Sequence, residues 1–302
     1  MLKSFVSGSE LWQWRETAKK KALAAEVSIG EVDWFLEAFT TLDRLSLRLG
    51  SFRDRDRLEL PISLEELTQR WQQRIYDRVP LQYLTRTAPW RHFELAVSPA
   101  VLIPRPETEG LIEIAVSACQ DFDLKLGHWA DLGTGSGAIA LGLATVFSDA
   151  KIHAVDRSPE ALEIARENAR RLGLDDRIAF YSGNWFAPLE ALKGQLSGMI
   201  SNPPYIPSHL IGQLQPEVRK HEPHLALDGG EDGLDCIRHL VNTAPIYLRP
   251  GGIWAIEMMA GQAEAVIELL QKQGSYDRIQ VFPDLAGIDR FVLAYVKVEQ
   301  NR

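Results

Sequence analysis

The run Asn202-Pro203-Pro204-Tyr205 follows the apolar stretch Gly198–Ser201 and sets hydrogen-bond acceptors beside an aromatic ring. Two prolines restrict the backbone, so the Asn202 side-chain oxygen and the Pro203 carbonyl can converge on one point. Such a point suits a planar NH2 group. The Tyr205 ring can then lie against the flat face of an amide or a nucleobase, holding a weakly nucleophilic amino group for attack. Without chemistry the same run is a proline turn after a strand, with Tyr205 packing at its rim.

Upstream residues favour the chemical reading. Asp131-Leu132-Gly133-Thr134-Gly135-Ser136-Gly137 links a strand to a helix rich in Ala, Ile and Leu. Its glycines allow a tight turn and close approach of a ligand at the carboxyl ends of strands, where open α/β sheets bind cofactors. The spacing is G-x-G-x-G, which fits the dinucleotide pattern G-x-G-x-x-G poorly. Asp156 ends the second strand and can accept hydrogen bonds from both hydroxyls of a ribose. After the third strand, Asn184 suits the amino edge of an adenine and Trp185 its ring. Asp156 as an N-cap and Trp185 as core are the bland alternatives. Their ordered occurrence after three successive strands points to a nucleoside-bearing ligand.

The elements needed to position these residues are legible from periodicity. Residues 9–78 carry apolar side chains at helical spacing, so a helical bundle is expected over 1–79, available for partner docking. Ser28 with Glu31, and Pro61-Ile62-Ser63 with Glu66, read as capping boxes. A linker with a short hairpin is expected over 80–99, and an α/β domain over 100–302. In that domain strands are predicted at 128–132, 152–156, 178–181, 198–201 and 253–257, with helices at 137–147, 159–172, 232–247 and 262–273. Two closing strands follow, at 276–282 and 290–297. This alternation implies a mostly parallel, Rossmann-like sheet covered on both faces.

With 33 basic against 41 acidic residues, the chain has a net charge of −8. It therefore exerts no global attraction on phosphate backbones, and no direct nucleic-acid partner is expected. Cys119 and Cys236 lie in apolar helical patterns and read as reduced core residues, with no metal site. No segment reaches the roughly 20 apolar residues of a membrane span, so a soluble cytoplasmic protein is expected.

The glycine-rich turn, the acidic strand end and Asn-Pro-Pro-Tyr together resemble the S-adenosylmethionine-dependent methyltransferases of planar NH2 groups. Further blocks, Gln82-Tyr83-Leu84, Val101 to Glu109, Glu222 to Asp235 and Pro283 to Arg290, are similar to those of the HemK/PrmC family of protein glutamine methyltransferases. The resemblance covers residues 80–297. It implies a seven-stranded methyltransferase domain, S-adenosyl-L-methionine as cofactor, and class 1 peptide chain release factors as partners, methylated on the Gln amide nitrogen of their Gly-Gly-Gln loop.

By position, the resemblance assigns Gly133, Thr134, Gly135, Ser136 and Gly137 to the methionine portion of the cofactor and Asp156 to its ribose. Asn184 and Trp185 fall to the adenine, Asn202 touches the cofactor as well, and Asn202, Pro203, Pro204 and Tyr205 hold the substrate amide. Asn202, Pro203 and Tyr205 carry the catalytic role. The chain departs from the family at Thr85-Arg86 and Met259, where Gly is usual, and at Asn184, where an acidic residue is common.

A ribosomal-protein glutamine or a nucleobase amine is the alternative acceptor, and a non-catalytic cofactor-binding scaffold a third reading. No general base is evident, although His209, His221 and His224 follow the motif. A monomer suits an enzyme that must admit a protein loop.

Overall fold

The computed structural model describes residues 4–119 and 122–298. The chain forms two compact units, Met1–Arg86 with Gln215–His221, and Thr87–Leu214 with Glu222–Arg302.

The first unit holds β1 (Ser4–Val6), α1 (Gly8–Ala24), α2 (Gly30–Phe39), α3 (Arg44–Leu49), β2 (Leu58–Leu60), α4 (Leu64–Gln72) and α5 (Leu81–Thr85). Leu11, Phe35, Leu36, Leu67 and Trp71 meet in its core, burying the apolar stripes that the periodicity foretold. Ser63 accepts from the Glu66 amide at 3.1 Å and so starts α4. The expected box at Ser28 does not form, because Ile29 is the N-cap of α2 and makes no side-chain cap hydrogen bond. Glu31 instead binds the buried Arg74 through two hydrogen bonds of 2.6 and 3.0 Å, an ion pair with a stronger claim on a carboxylate than one backbone amide has. Ser7 and Glu10 make the reciprocal box that opens α1.

Thr87 opens the second unit, so the stretch 80–99 is not a linker. Its first half is α5; its second half is a hairpin of β3 (Thr87–Trp90) and β4 (Phe93–Ala96), whose Trp90, Phe93 and Leu95 join the main core. Then come α6 (Glu109–Ala118), α7 (Phe122–Leu126), β5 (His128–Leu132), α8 (Ala138–Val146), β6 (Lys151–Asp156), α9 (Pro159–Arg171), β7 (Ile178–Ser182) and β8 (Leu196–Ser201). The excursion Pro216–His221 is α10, and α11 (Asp235–Tyr247), β9 (Leu248–Glu257), α12 (Ala263–Gln273), β10 (Tyr276–Pro283) and β11 (Asp289–Val296) complete the chain.

Seven strands form one sheet in the order β10-β11-β9-β8-β5-β6-β7. The pairs among β9, β8, β5, β6 and β7 are parallel, while β11 is antiparallel to both of its neighbours. One apolar cluster lies around Trp90, Trp129 and Leu141, and a second around Trp254, Ile237 and Leu240, as expected for a sheet buried on both faces. Strand order matters more here than strand content: β8 lies between β5 and β9, so the segment after β8 has both of their carboxyl ends as neighbours. Among the described residues no helix is long and apolar enough to cross a membrane.

Candidate active site

The loops at the carboxyl ends of the parallel strands are stitched to one another. Val155 at the end of β6 accepts from the Gly133 and Thr134 amides at 2.9 and 3.0 Å, and Asp156 accepts from the Gly183 amide at 3.0 Å. Ser201, ending β8, donates to the Leu132 carbonyl at 2.6 Å. A cavity of about 240 Å³ opens there. Its wall includes Gly133 to Ser136, Asp156, Asn184, Trp185, Asn202 and Pro204. Residues from four successive strand ends thus share one space.

Within the glycine turn, backbone and side chains have separate tasks. Gly135 and Gly137 have φ of +55° and +86°, in the left-handed region that other residues enter at a cost of about 1–2 kcal/mol. Thr134 turns inward and donates to Asp131 Oδ2 at 2.5 Å, which also accepts from the Ala140 amide at 3.0 Å. The other oxygen, Asp131 Oδ1, is buried with no hydrogen-bond partner among the described residues, and burial pushes this carboxyl up to about 7. Thr134 and Ser136 are themselves buried, so they shape the turn.

Asn168 on α9 braces the turn from behind. Its Nδ2 donates to the Ser136 and Ala96 carbonyls at 2.9 and 3.0 Å, and its Oδ1 accepts from the Ala96 amide at 2.6 Å, tying β4 to the turn.

Asp156 Oδ2 accepts from the Gly135 amide at 2.8 Å and Oδ1 from the Ser158 amide at 2.9 Å. The carboxylate is therefore a loop anchor and a cap together, and each oxygen retains acceptor capacity toward the cavity. Burial raises its pKa, against the opposing pull of these amides. Trp185 has φ +51°, an outlier for a bulky side chain, and its ring lies over Gly133. Cys236 is half-buried on the cavity wall, where the sequence had placed it in the core.

The four residues of the proline run have unequal exposure to this space. Asn202 and Pro204 line the cavity; Pro203 is buried, and Tyr205 reaches away to a buried carboxylate. That carboxylate is Glu257, closing β9. It accepts from the Tyr205 hydroxyl at 2.9 Å and from the Thr108 hydroxyl at 2.6 Å. Asn202 Nδ2 donates to Thr108 Oγ1 at 3.1 Å. Burial pushes Glu257 up, opposed by Thr108, Tyr205 and the field of Arg290.

Sequence reading missed Thr108 as an individual residue, together with Glu257 and Asn168. For Glu257 a signal existed, since it closes an apolar strand as Asp156 does. Arg105 joins the wall from the same block as Thr108, held by Glu222 at 2.7 Å.

At the three departures the backbone differs in its demands. Arg86 ends α5 at φ +61°, the conformation glycine takes without strain, whereas Met259 is not among the positive-φ residues. Asn184 keeps a polar side chain on the wall. Of the histidines, His221 donates to the Asp77 carbonyl at 2.8 Å in the first unit, and His224 lies 3.9 Å from Asp228.

A glycine turn, a strand-end carboxylate and an Asn-Pro-Pro-Tyr wall in one cavity of a seven-stranded sheet define a Rossmann-like methyltransferase. Residues 125–276 match the family described as Methyltransferase domain. Over 302 residues the chain is 51% identical to the release factor glutamine methyltransferase of Synechocystis sp. (strain ATCC 27184 / PCC 6803 / Kazusa), covering 97% of this chain and 99% of that one. It is 50% identical over 291 residues to the protein of that name from Thermosynechococcus vestitus, covering 96% and 99%. The catalytic domain of hMettl16, solved with MAT2A 3′UTR hairpin 6, is similar at a TM-score of 0.55 and 15% identity, over 88% of this chain and 90% of that one. That last likeness shows the fold alone. The chain belongs to the release factor glutamine methyltransferase family.

Proposed function

We propose that the protein transfers a methyl group from S-adenosyl-L-methionine to the side-chain amide nitrogen of the Gln in the Gly-Gly-Gln loop of class 1 peptide chain release factors. The observation that carries this reading is the meeting of Asn202 with the glycine turn and Asp156 on the wall of one cavity. The residues fit the cofactor. A Cβ added at Gly135 would meet no atom within 4 Å, so the turn is an open cradle, and Asp156 keeps acceptor capacity beside it. Gly133 to Ser136 would hold the methionine portion, with Gly137 turning the chain behind them against α9; Asp156 would hold the ribose, and Asn184 and Trp185 the adenine.

When bound, the cofactor supplies a methyl group on a sulfonium, an electrophile that needs alignment more than a strong base. Asn202 through its amide oxygen, and Pro203 through its carbonyl, orient the substrate NH2 and favour the pyramidal nitrogen of the transition state. Tyr205 braces the run from behind through Glu257 rather than from the cavity wall; its hydroxyl is held far above its ordinary range by burial and by Glu257, so it remains a neutral donor. The proton on the methylated nitrogen leaves to water. We assign docking of the release factor to the helical unit, and place the reaction in the cytoplasm with the chain acting as a monomer.

The test is incubation with labelled S-adenosylmethionine and a release factor, with and without Gln→Ala in the Gly-Gly-Gln loop, beside parallel incubations with ribosomal proteins and with nucleic acid. Label confined to the intact loop is expected. Label on a ribosomal protein or a nucleic acid, or none at all, would overturn the proposal.

A further inference from the structure

We propose that Glu257 is a positioning residue that fixes, through the Thr108 hydroxyl, which end of the Asn202 amide faces the cavity; this rests on the function proposed above. Glu257 is 2% exposed, and each of its oxygens takes one hydroxyl. Burial raises the Glu257 pKa, opposed by the two hydroxyl donors and the field of Arg290. In its ionised form the carboxylate only accepts hydrogen bonds, and the geometry gives each oxygen one hydroxyl to accept from. Arg290 and Arg105 are hydrogen-bonded elsewhere, to Asp284 and Glu222.

Thr108 has a single hydroxyl hydrogen. Because Glu257 takes it at 2.6 Å, the Thr108 oxygen has only lone pairs to offer Asn202, 3.1 Å away. Asn202 must therefore turn Nδ2 toward Thr108, and its oxygen is left for the cavity it lines. The reversed amide would set oxygen against oxygen at Thr108 and present NH2 to the incoming NH2, donor facing donor. Acceptor polarity at the site is thus decided two hydrogen bonds away, by a residue that does not line the cavity. The same carboxylate holds the Tyr205 hydroxyl, so both ends of the proline run are referred to one anchor on β9.

The variants Thr108→Val, Thr108→Ser and Glu257→Gln test this. Thr108→Val removes the relay at constant shape and should lower kcat by about 30–100-fold, with KM for S-adenosylmethionine within about threefold of wild type. Thr108→Ser should return kcat to within about threefold. Glu257→Gln, which can donate to Thr108 and free its hydrogen for either amide orientation, should cost about tenfold. Wild-type kcat in Thr108→Val, or a Thr108→Ser variant as impaired as Thr108→Val, would overturn the proposal.

A second readout needs no turnover. In a double-mutant cycle of Asn202→Ala with Thr108→Val followed by urea unfolding, the relay predicts departure from additivity by about fivefold in the unfolding constant, and additivity would sink it. Glu257→Gln replaces Thr108→Val in that cycle if the latter fails to fold. Should the wild type leave the release factor unlabelled, the proposed function fails while the cycle still decides the relay.

Discussion

A methyl group added at Gly135 and one added at Gly137 should fail in different ways, although the two glycines are neighbours in one turn. At Gly135, φ is +55° and an added Cβ meets nothing within 4 Å. Gly135→Ala therefore loses only the cost of a left-handed backbone, about 1–2 kcal/mol, and stays folded. Its methyl group enters the space that the turn leaves for a ligand. An overlap of that size costs about 1–3 kcal/mol, so the dissociation constant for S-adenosylmethionine should rise by roughly 5–150-fold.

At Gly137, φ is +86° and the added Cβ would stand 3.2 Å from the Ala165 Cβ and 3.3 Å from its Cα. Backbone strain and the crowding of α9 act together there, and Gly137→Ala should lose about 2–5 kcal/mol of stability. Urea unfolding followed by tryptophan fluorescence and isothermal titration with S-adenosylmethionine separate the two effects. Wild-type affinity in Gly135→Ala, or equal stability of the two variants, would refute the reasoning.

Three further outcomes are expected. Asn202→Ala should reduce turnover by about 10²-fold while the cofactor dissociation constant stays within about threefold, read by steady-state kinetics beside calorimetry; undiminished turnover would remove Asn202 from the mechanism. Asp131, lifted from 3.8 to about 7 by burial, binds a proton in the folded state that the unfolded chain has released. Its contribution to stability is complete below pH 4 and is lost as pH rises through 7, by about 3 kcal/mol between pH 5 and pH 8. Asp131→Asn keeps an acceptor for Thr134 and Ala140, so unfolding measured at pH 5 and pH 8 should show most of that slope gone. In the helical unit, Arg74→Met strands Glu31 and weakens the hold on Glu217, which Arg78 still pairs at 2.7 Å. A loss of about 3 kcal/mol should appear in equilibrium unfolding, and a loss below 1 kcal/mol would show the pair to be dispensable.

Much of this molecule is legible in one dimension because its candidate site sits at strand ends. Gly133 to Gly137, Asp156, Asn184, Trp185 and Asn202 each follow an apolar run of strand length, and a sheet of parallel strands brings such ends to one edge. Local patterns also located the helical stripes and the seven strands, since amphipathic period and turn residues act over a few positions. The same locality explains the errors. Ser28 and Glu31 have the spacing of a capping box, but Arg74 lies 43 residues from Glu31, and no local pattern announces it. Residues 80–99 looked like a linker because the burial of Trp90 and Leu95 depends on a core assembled from distant segments.

What the sequence determined by itself is the inventory of the site: a turn that can cradle a ligand, a carboxylate at a strand end, and an Asn followed by two prolines that can hold an NH2 group. The tertiary structure alone decided how that inventory is oriented. Thr108 and Glu257 are 149 residues apart; Glu257 ends β9, the sheet neighbour of the β8 strand that Asn202 follows, and Thr108 hydrogen-bonds to both side chains. Strand order follows from how the whole chain buries its apolar faces, so no local pattern encodes which strand ends become neighbours. Asn-Pro-Pro-Tyr marks where an amide could be held; the hydroxyl and carboxylate behind it decide which end of Asn202 does the holding.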